Sequence, residues 1–147
     1  MTTSQPPTFD PANFKTDAYV RRIEKPWGYE LHLVPENLPY MMKIMHVNAG
    51  QRMSLQVHDA KQESYAVMNG RALLIWENEN GELVETELEM GKGYTTKVGQ
   101  KHRLKGLTDT DIFEASTPEK GTTWRLEDDY ARPDETPEQR DAERVGM

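Results

Sequence analysis

What most constrains this chain is how often its apolar runs are interrupted by turns. Residues 40–47 end at Asn48-Ala49-Gly50, and residues 64–68 end at Asn69-Gly70. An Asn-Gly pair suits the positive φ angles of a two-residue hairpin turn. Residues 71–76 follow at once, and Asn78-Glu79-Asn80-Gly81 makes another turn before residues 83–88. Residues 52–58, 94–98, 102–107 and 112–116 complete a series of short runs. Short strands with a turn after nearly every one predict an all-β sandwich or barrel. Between residues 27 and 116 there is no repeat of fixed period, no low-complexity tract and no domain boundary.

The flanks differ from the middle. Residues 1–18 carry Pro6, Pro7 and Pro11 with no hydrophobic periodicity, and are expected to form a flexible or strand-swapping arm. Residues 19–132 are expected to form one domain, and residues 133–147 a charged tail. The tail from Glu127 is expected to be a solvated face or a dimer-edge contact. Within it, residues 136–144 predict a short exposed helix. Thr136 would be its N-cap, Pro137 its first residue and Gln139 the N3 partner of a capping box. A chain of 147 residues is one domain by size and can bury a core without staples.

Composition removes several function classes. There is no cysteine, which excludes disulfide scaffolds, thiol catalysis and thiolate metal sites. Lys plus Arg is 18 against 25 for Asp plus Glu, a net charge of −7, which lacks the basic footprint of a nucleic-acid binder. No apolar run approaches the roughly 20 residues that span a bilayer, and residues 1–10 lack the apolar core of a secretory signal. A soluble cytoplasmic protein with no nucleic-acid or membrane partner is expected.

One segment carries chemistry. Gly50, Gln56, His58, Glu63 and Gly70 fall in the pattern G-x5-Q-x-H-x4-E-x6-G. On a strand, Gln56 and His58 project from the same face, which Ser54 shares. Glu63 follows a turn at Asp59-Ala60, so a neighbouring strand can point it back. Gly91, Lys97, Gly99 and His102 form G-x5-K-x-G-x2-H, and a second strand pair can bring His102 to the same point. Imidazole nitrogens, a carboxylate and an amide oxygen suit a borderline divalent ion. Three or four such ligands with an open position make a site of the catalytic type. His32 and His46 fit neither pattern and are read as satisfied or exposed strand histidines. Met41, Met42, Met45, Met53 and Met68 are read as adaptable core filler. Trp27 is read as barrel packing at a bend.

These two segments resemble the paired motifs of the cupin superfamily, small β-barrels of the jelly-roll type. Gln56 stands where most cupins have the first histidine of the pair, and Lys97 and Gly106 stand where they have proline and asparagine. A Gln-x-His pair followed by Glu and a distant His is similar to the zinc set of mannose-6-phosphate isomerases. The chain resembles the type II isomerase domain more widely, from Lys25 to Arg132. Lys25-Pro26-Trp27-Gly28-Tyr29, residues 40–43, Leu55-Gln56-Val57-His58, His102-Arg103-Leu104 and residues 125–132 all have counterparts there. No glycine-rich nucleotide loop appears, so the pyrophosphorylase half of the bifunctional enzymes is not implied. The resemblance implies a single cupin barrel with a short N-terminal arm and a charged, partly helical C-terminal extension, paired as a homodimer.

It also implies a function: a metal-dependent sugar-phosphate isomerase working through an enediolate. Gln56, His58, Glu63 and His102 would hold the ion, zinc first, with manganese, iron, cobalt or nickel also fitting. Lys61 would be a base, if its pKa is depressed, or an oxyanion stabiliser, and Glu114 a second candidate base. Lys43, Arg103 and Arg125 would contact the sugar phosphate, although Arg125 could instead pair with Asp128 or Asp129. Lys61-Gln62-Glu63-Ser64 stands where the isomerases read Arg-Ala-Glu-His. Charge is kept at Lys61, but the planar fork of arginine is lost. That departure motivates a second reading, a non-catalytic cupin that binds a sugar or sugar nucleotide. Another cupin enzyme, an epimerase or dioxygenase, is the third.

Overall fold

A computed structural model describes residues 4–12 and 16–147. The strands are β1 (Arg21–Lys25), β2 (Gly28–His32), β3 (Met41–Val47), β4 (Leu55–His58), β5 (Glu63–Asn69), β6 (Ala72–Glu77), β7 (Leu83–Glu87), β8 (Tyr94–Thr96), β9 (His102–Gly106), β10 (Thr110–Ser116) and β11 (Thr123–Glu127). One helix, α1 (Pro137–Glu143), follows. The strands form two antiparallel sheets, β1-β2-β3-β10-β5-β8 and β11-β4-β9-β6-β7. The all-β jelly roll expected from the sequence is therefore the architecture observed. No helix among the described residues is long and apolar enough to cross a membrane.

Turn chemistry fixes the register. Gly70 closes the β5–β6 connection at φ +79°, and a Cβ there would lie 2.3 Å from the Asp109 carbonyl oxygen. Gly28 opens β2 opposite Val47 at φ +152°, and a Cβ there would lie 1.9 Å from the His46 carbonyl oxygen. Only glycine fits either place. Between β1 and β2, Trp27 turns inward and is buried in the core, as the sequence predicted.

The interior is layered along the strands. On β3, Lys43, Met45 and Val47 share the inward face; on β10, Ile112 and Glu114 do; on β5, Glu63, Tyr65 and Val67. The register sets Ile112 beside Met45 and Val67, and Glu114 beside Lys43 and Tyr65. One end of the barrel is thus an apolar floor of Val47, Val67, Leu74, Leu104 and Ile112. The other end is lined by buried charge.

The structure departs from the sequence reading in several places. The strand expected over residues 52–58 begins only at Leu55, Arg52 making a single bridge to Lys105. Met68 is not core filler; it is 51% exposed, whereas Met41, Met45 and Met53 are buried. In α1 the Thr136 hydroxyl accepts from the Gln139 N–H at 3.1 Å, as expected, but the Gln139 amide turns to Glu143 and leaves the capping box half made. Nor is this helix simply exposed, because Arg140 and the following Arg144 are buried. Of the expected N-terminal arm, residues 1–3 and 13–15 lie outside the described residues. Residues 4–12 and 16–18 are exposed and belong to no strand.

Candidate metal centre

β4 and β9 are paired so that Gln56 lies opposite His102. His58, two residues along β4, points the same way, and the two imidazoles stand with centroids 5.1 Å apart. Glu63 comes from β5 of the other sheet, across the barrel rather than from a neighbouring strand of the same sheet. Its Oε1 lies 3.0 Å from His58 Nε2 and 2.7 Å from His102 Nε2. One ligand atom from each of these three residues falls within 4.8 Å of the others, and all three side chains are buried. The Gln56 amide is 3.4 Å from His58 Nε2, while its other end accepts from the Ser54 hydroxyl at 2.9 Å. A half-turn exchanges the amide oxygen and nitrogen, so the oxygen can face the same point.

Outer partners hold these side chains in ligand-like poses. His102 Nδ1 meets the Gln100 carbonyl at 2.8 Å, which orients the ring so that Nε2 faces the cluster. His58 Nδ1 meets the Thr123 hydroxyl at 2.8 Å. The Tyr65 hydroxyl donates to Glu63 Oε1 and meets Thr96 at 2.9 Å. Burial lowers the His58 pKa against the opposing pull of Glu63, which keeps the ring neutral and able to ligate. Burial alone would raise the Glu63 carboxyl, but Lys61 and hydrogen bonds from His102 and His58 hold it well below the usual range. Two imidazole nitrogens, an ionised carboxylate and an adjacent amide form a donor set that fits a borderline divalent ion.

Next to this cluster lies an alternating chain of charge. Lys61 Nζ is 3.0 Å from Glu63 Oε2 and 3.2 Å from Glu114 Oε2. Lys43 Nζ is 3.5 Å from Glu114, 3.2 Å from Glu30 and 2.9 Å from Glu119. Glu119 in turn accepts from Arg144 at 2.8 Å. Burial and the neighbouring Glu63 push the Glu114 carboxyl up to about 8, despite the two lysines. Burial would lower Lys61, but Glu114 and Glu63 outweigh it and raise the ammonium. Glu30, His32 and Glu119 also cluster, but the Lys43 ammonium already bridges Glu30 and Glu119 there.

Of the residues expected at the site, Gln56, His58, Glu63, His102, Lys61, Glu114, Lys43 and Arg125 line one interior cavity of about 60 Å³. Arg103 does not. Between His102 and Leu104 it alternates to the other face of β9, where its Nε donates to the Met53 carbonyl at 3.0 Å and its NH1 meets Glu127. Arg125 pairs with Glu135 at 3.0 Å and Glu143 at 2.7 Å. It takes neither expected partner: Asp128 is held by Arg132 and Asp129 by Arg52. His32 and His46 are satisfied strand histidines, bonded to Glu30 and Asp111.

The sequence reading missed Glu30, Tyr65, Glu119, Glu135, Arg140 and Arg144, which all line the same cavity. For Tyr65 and Glu30 a signal existed, because each shares strand parity with another inward residue, Glu63 and His32. The cavity carries seven cationic side chains against five carboxylates. It is thus locally positive inside a chain of net charge −7.

Comparison with curated protein sequences gives no match. Among solved structures, the chain is similar to the formate complex of an oxalate decarboxylase from Lactobacillus farciminis. That likeness has a TM-score of 0.60 and 18% identity, over 76% of this chain and 34% of the other. The capsular polysaccharide assembling protein CapF of Staphylococcus aureus gives a TM-score of 0.58 and 16% identity, over 82% and 33%. Oxalate decarboxylase of Bacillus subtilis gives 0.58 and 17%, over 67% and 27%. The chain therefore spans about a third of these relatives or less, and the likeness is one of fold: all are cupins. The family described as mannose-6-phosphate isomerase C-terminal matches residues 12–132, a span that takes in His58, His102, Glu63 and all eleven strands. By that match and by its barrel, this chain belongs to the mannose-6-phosphate isomerase C-terminal family of cupins.

Proposed function

We propose that the protein is a metal-dependent sugar-phosphate isomerase of the mannose-6-phosphate isomerase kind. The observation that carries this reading is the joining of His58, Glu63 and His102 to Lys61 and Glu114 in one buried cavity. The positive excess of that cavity favours an anionic substrate.

A divalent ion, zinc by first expectation, would be held by His58, Glu63 and His102 with Gln56 beside them, and it supplies a Lewis acid for the sugar oxygens. Aldose–ketose exchange moves one proton from C2 to C1 and another from O2 to O1, with negative charge developing on O1 and O2 between the two. Glu114, with its carboxyl near 8, takes the proton from C2 as carboxylate and returns it at C1 as acid. Lys61, held charged between Glu63 and Glu114, offsets the negative charge that builds on the enediolate oxygens. Lys43 meets three carboxylates and is best read as a positioning residue for Glu114 rather than a substrate contact. Arg125 also has its terminal nitrogens engaged, by Glu135, Glu143 and the Pro133 carbonyl. A homodimer in the cytoplasm remains part of this reading.

The test is proton NMR in D2O with the zinc-loaded and manganese-loaded protein and mannose 6-phosphate. Formation of fructose 6-phosphate, or deuterium at C2, both lost in His58→Ala, is the expected result. No exchange with either metal removes the isomerase reading. A second reading, a binding cupin without turnover, is favoured by the exchange of arginine for Lys61 and by the small cavity. The other departure, Ser64, does not bear on either, because its hydroxyl bonds Thr95 on the outer face of β5. A ligand-induced rise in melting temperature without exchange is what that reading expects.

A further inference from the structure

The cavity is small, and part of its lining, Glu135, Arg140 and Arg144, lies beyond the segment that matches the family. Its volume of about 60 Å³ holds about two waters, whereas pockets for small molecules run to about 300–1,000 Å³. On either side of α1 lie two outer clefts of about 370 and 350 Å³. Arg144, which caps α1, lines the inner cavity and both clefts, so its side chain is a partition between them.

Ionic rather than apolar contacts hold α1 in place. The buried residue of the helix is Arg140, and Val145 just after it is 80% exposed. Its ties are Arg140 to Glu135 at 3.0 Å, Arg144 to Glu119 at 2.8 Å and Glu143 to Arg125 at 2.7 Å. Arg140 also donates to the Gly121 carbonyl at 3.0 Å. An anion entering from outside competes directly for such ties. Among the described residues, Arg144 is also the one cavity-lining cation with a buried nitrogen, Nε, that has no hydrogen-bond partner. The side chain is 6% exposed, so that donor is unused and desolvated.

The geometry points to Arg144 as the residue that grips the anionic group of the substrate, a phosphate monoester, with α1 as the door that moves to admit it. This rests on the reading of the cavity as a sugar-phosphate site. In the open state Arg140 and Arg144 exchange internal carboxylates for the incoming anion, and closing packs them around it. Glu119 holds the place of that anion in the closed form, bridging Arg144 and Lys43.

The test uses the full-length, zinc-loaded protein and inorganic phosphate as the probe, by titration calorimetry. Arg144→Gln is expected to weaken phosphate binding at least tenfold, and Arg144→Lys to restore part of it, with zinc content unchanged in both. Glu119→Gln, which frees Arg144, is expected to tighten phosphate several-fold. Phosphate binding equal to wild type in Arg144→Gln, or no phosphate binding by the wild type, overturns the proposal. The outcome separates from that of the isomerase test. Arg144-dependent phosphate binding without hydrogen exchange sinks the isomerase and leaves the grip. Turnover with an unchanged KM in Arg144→Gln does the reverse.

Discussion

Glu114 stands two residues from Ile112 on the inward face of β10, where the apolar floor gives way to charge. Its neighbours set its protonation, and so its use. As a base it must be ionised, so kcat/KM is expected to rise as pH rises through about 8, the value to which burial and Glu63 push it. Glu114→Gln is expected to lower kcat by roughly 10²–10⁴-fold, to erase that rising limb and to leave zinc content unchanged. An unaltered pH profile in the variant would remove Glu114 from the chemistry. Lys43 has a different role. Lys43→Met takes the buried ammonium from Glu30 and one of two cations from Glu114 and Glu119, so denaturant unfolding is expected to show a loss of roughly 3–5 kcal/mol. At this scale the metal donors were legible because their spacing is chemical. The supporting charges were not, because a lysine or glutamate alternating with apolar residues reads as a solvated face. Here Lys43 and Glu114 share parity with Met45 and Ile112 and turn inward.

Elements were legible in proportion to their turn signals. The strands between Met41 and Ser116 are bounded by Asn-Gly and similar pairs, and each appears within a few residues of its expected place. β1 and β11 carry no such bounds. β1 buries a single side chain, Ile23, among charged residues, so no alternation shows. In β11 the alternating apolar residues, Trp124 and Leu126, are exposed, and the one buried side chain is Thr123. They are strands because the sheets beside them supply partners, β2 to one and β4 to the other. The β1–β2 connection depends on close approach of backbones. Gly28→Ala places a methyl against the His46 carbonyl, in a backbone conformation that L side chains avoid. Its unfolding midpoint is expected to drop by an amount equivalent to about 2 kcal/mol or more. A midpoint equal to wild type would mean that β2 and β3 can separate at no cost.

For the whole molecule, the charged end of the barrel sets the response to acid. Glu30, Glu63 and Glu119 ionise well below 4.5 in the folded chain. Each therefore contributes stability that is present above pH 4.5 and lost as pH falls toward its folded value. His58 adds in the same direction, since its folded pKa lies below 6.5 and the unfolded chain takes up that proton first. Glu114 acts oppositely, favouring the fold at low pH and losing that preference between 4.5 and about 8. Urea midpoints measured across pH are expected to fall steeply below pH 4.5. In Glu114→Gln the gentle decline toward pH 8 should vanish. A wild-type midpoint that is flat from pH 3 to pH 6 would mean the buried carboxylates are not paired as described.

The chain of contacts from Glu63 through Lys61, Glu114, Lys43 and Glu119 to Arg144 has a consequence for how such a sequence can drift. No member between the ends can change sign without stranding the charges on both sides. Substitutions along it are therefore strongly non-additive. A lineage carrying this barrel should exchange these positions in opposite-sign pairs or keep them together, so their history would read as covariation reaching from the metal ligands to the C-terminal helix.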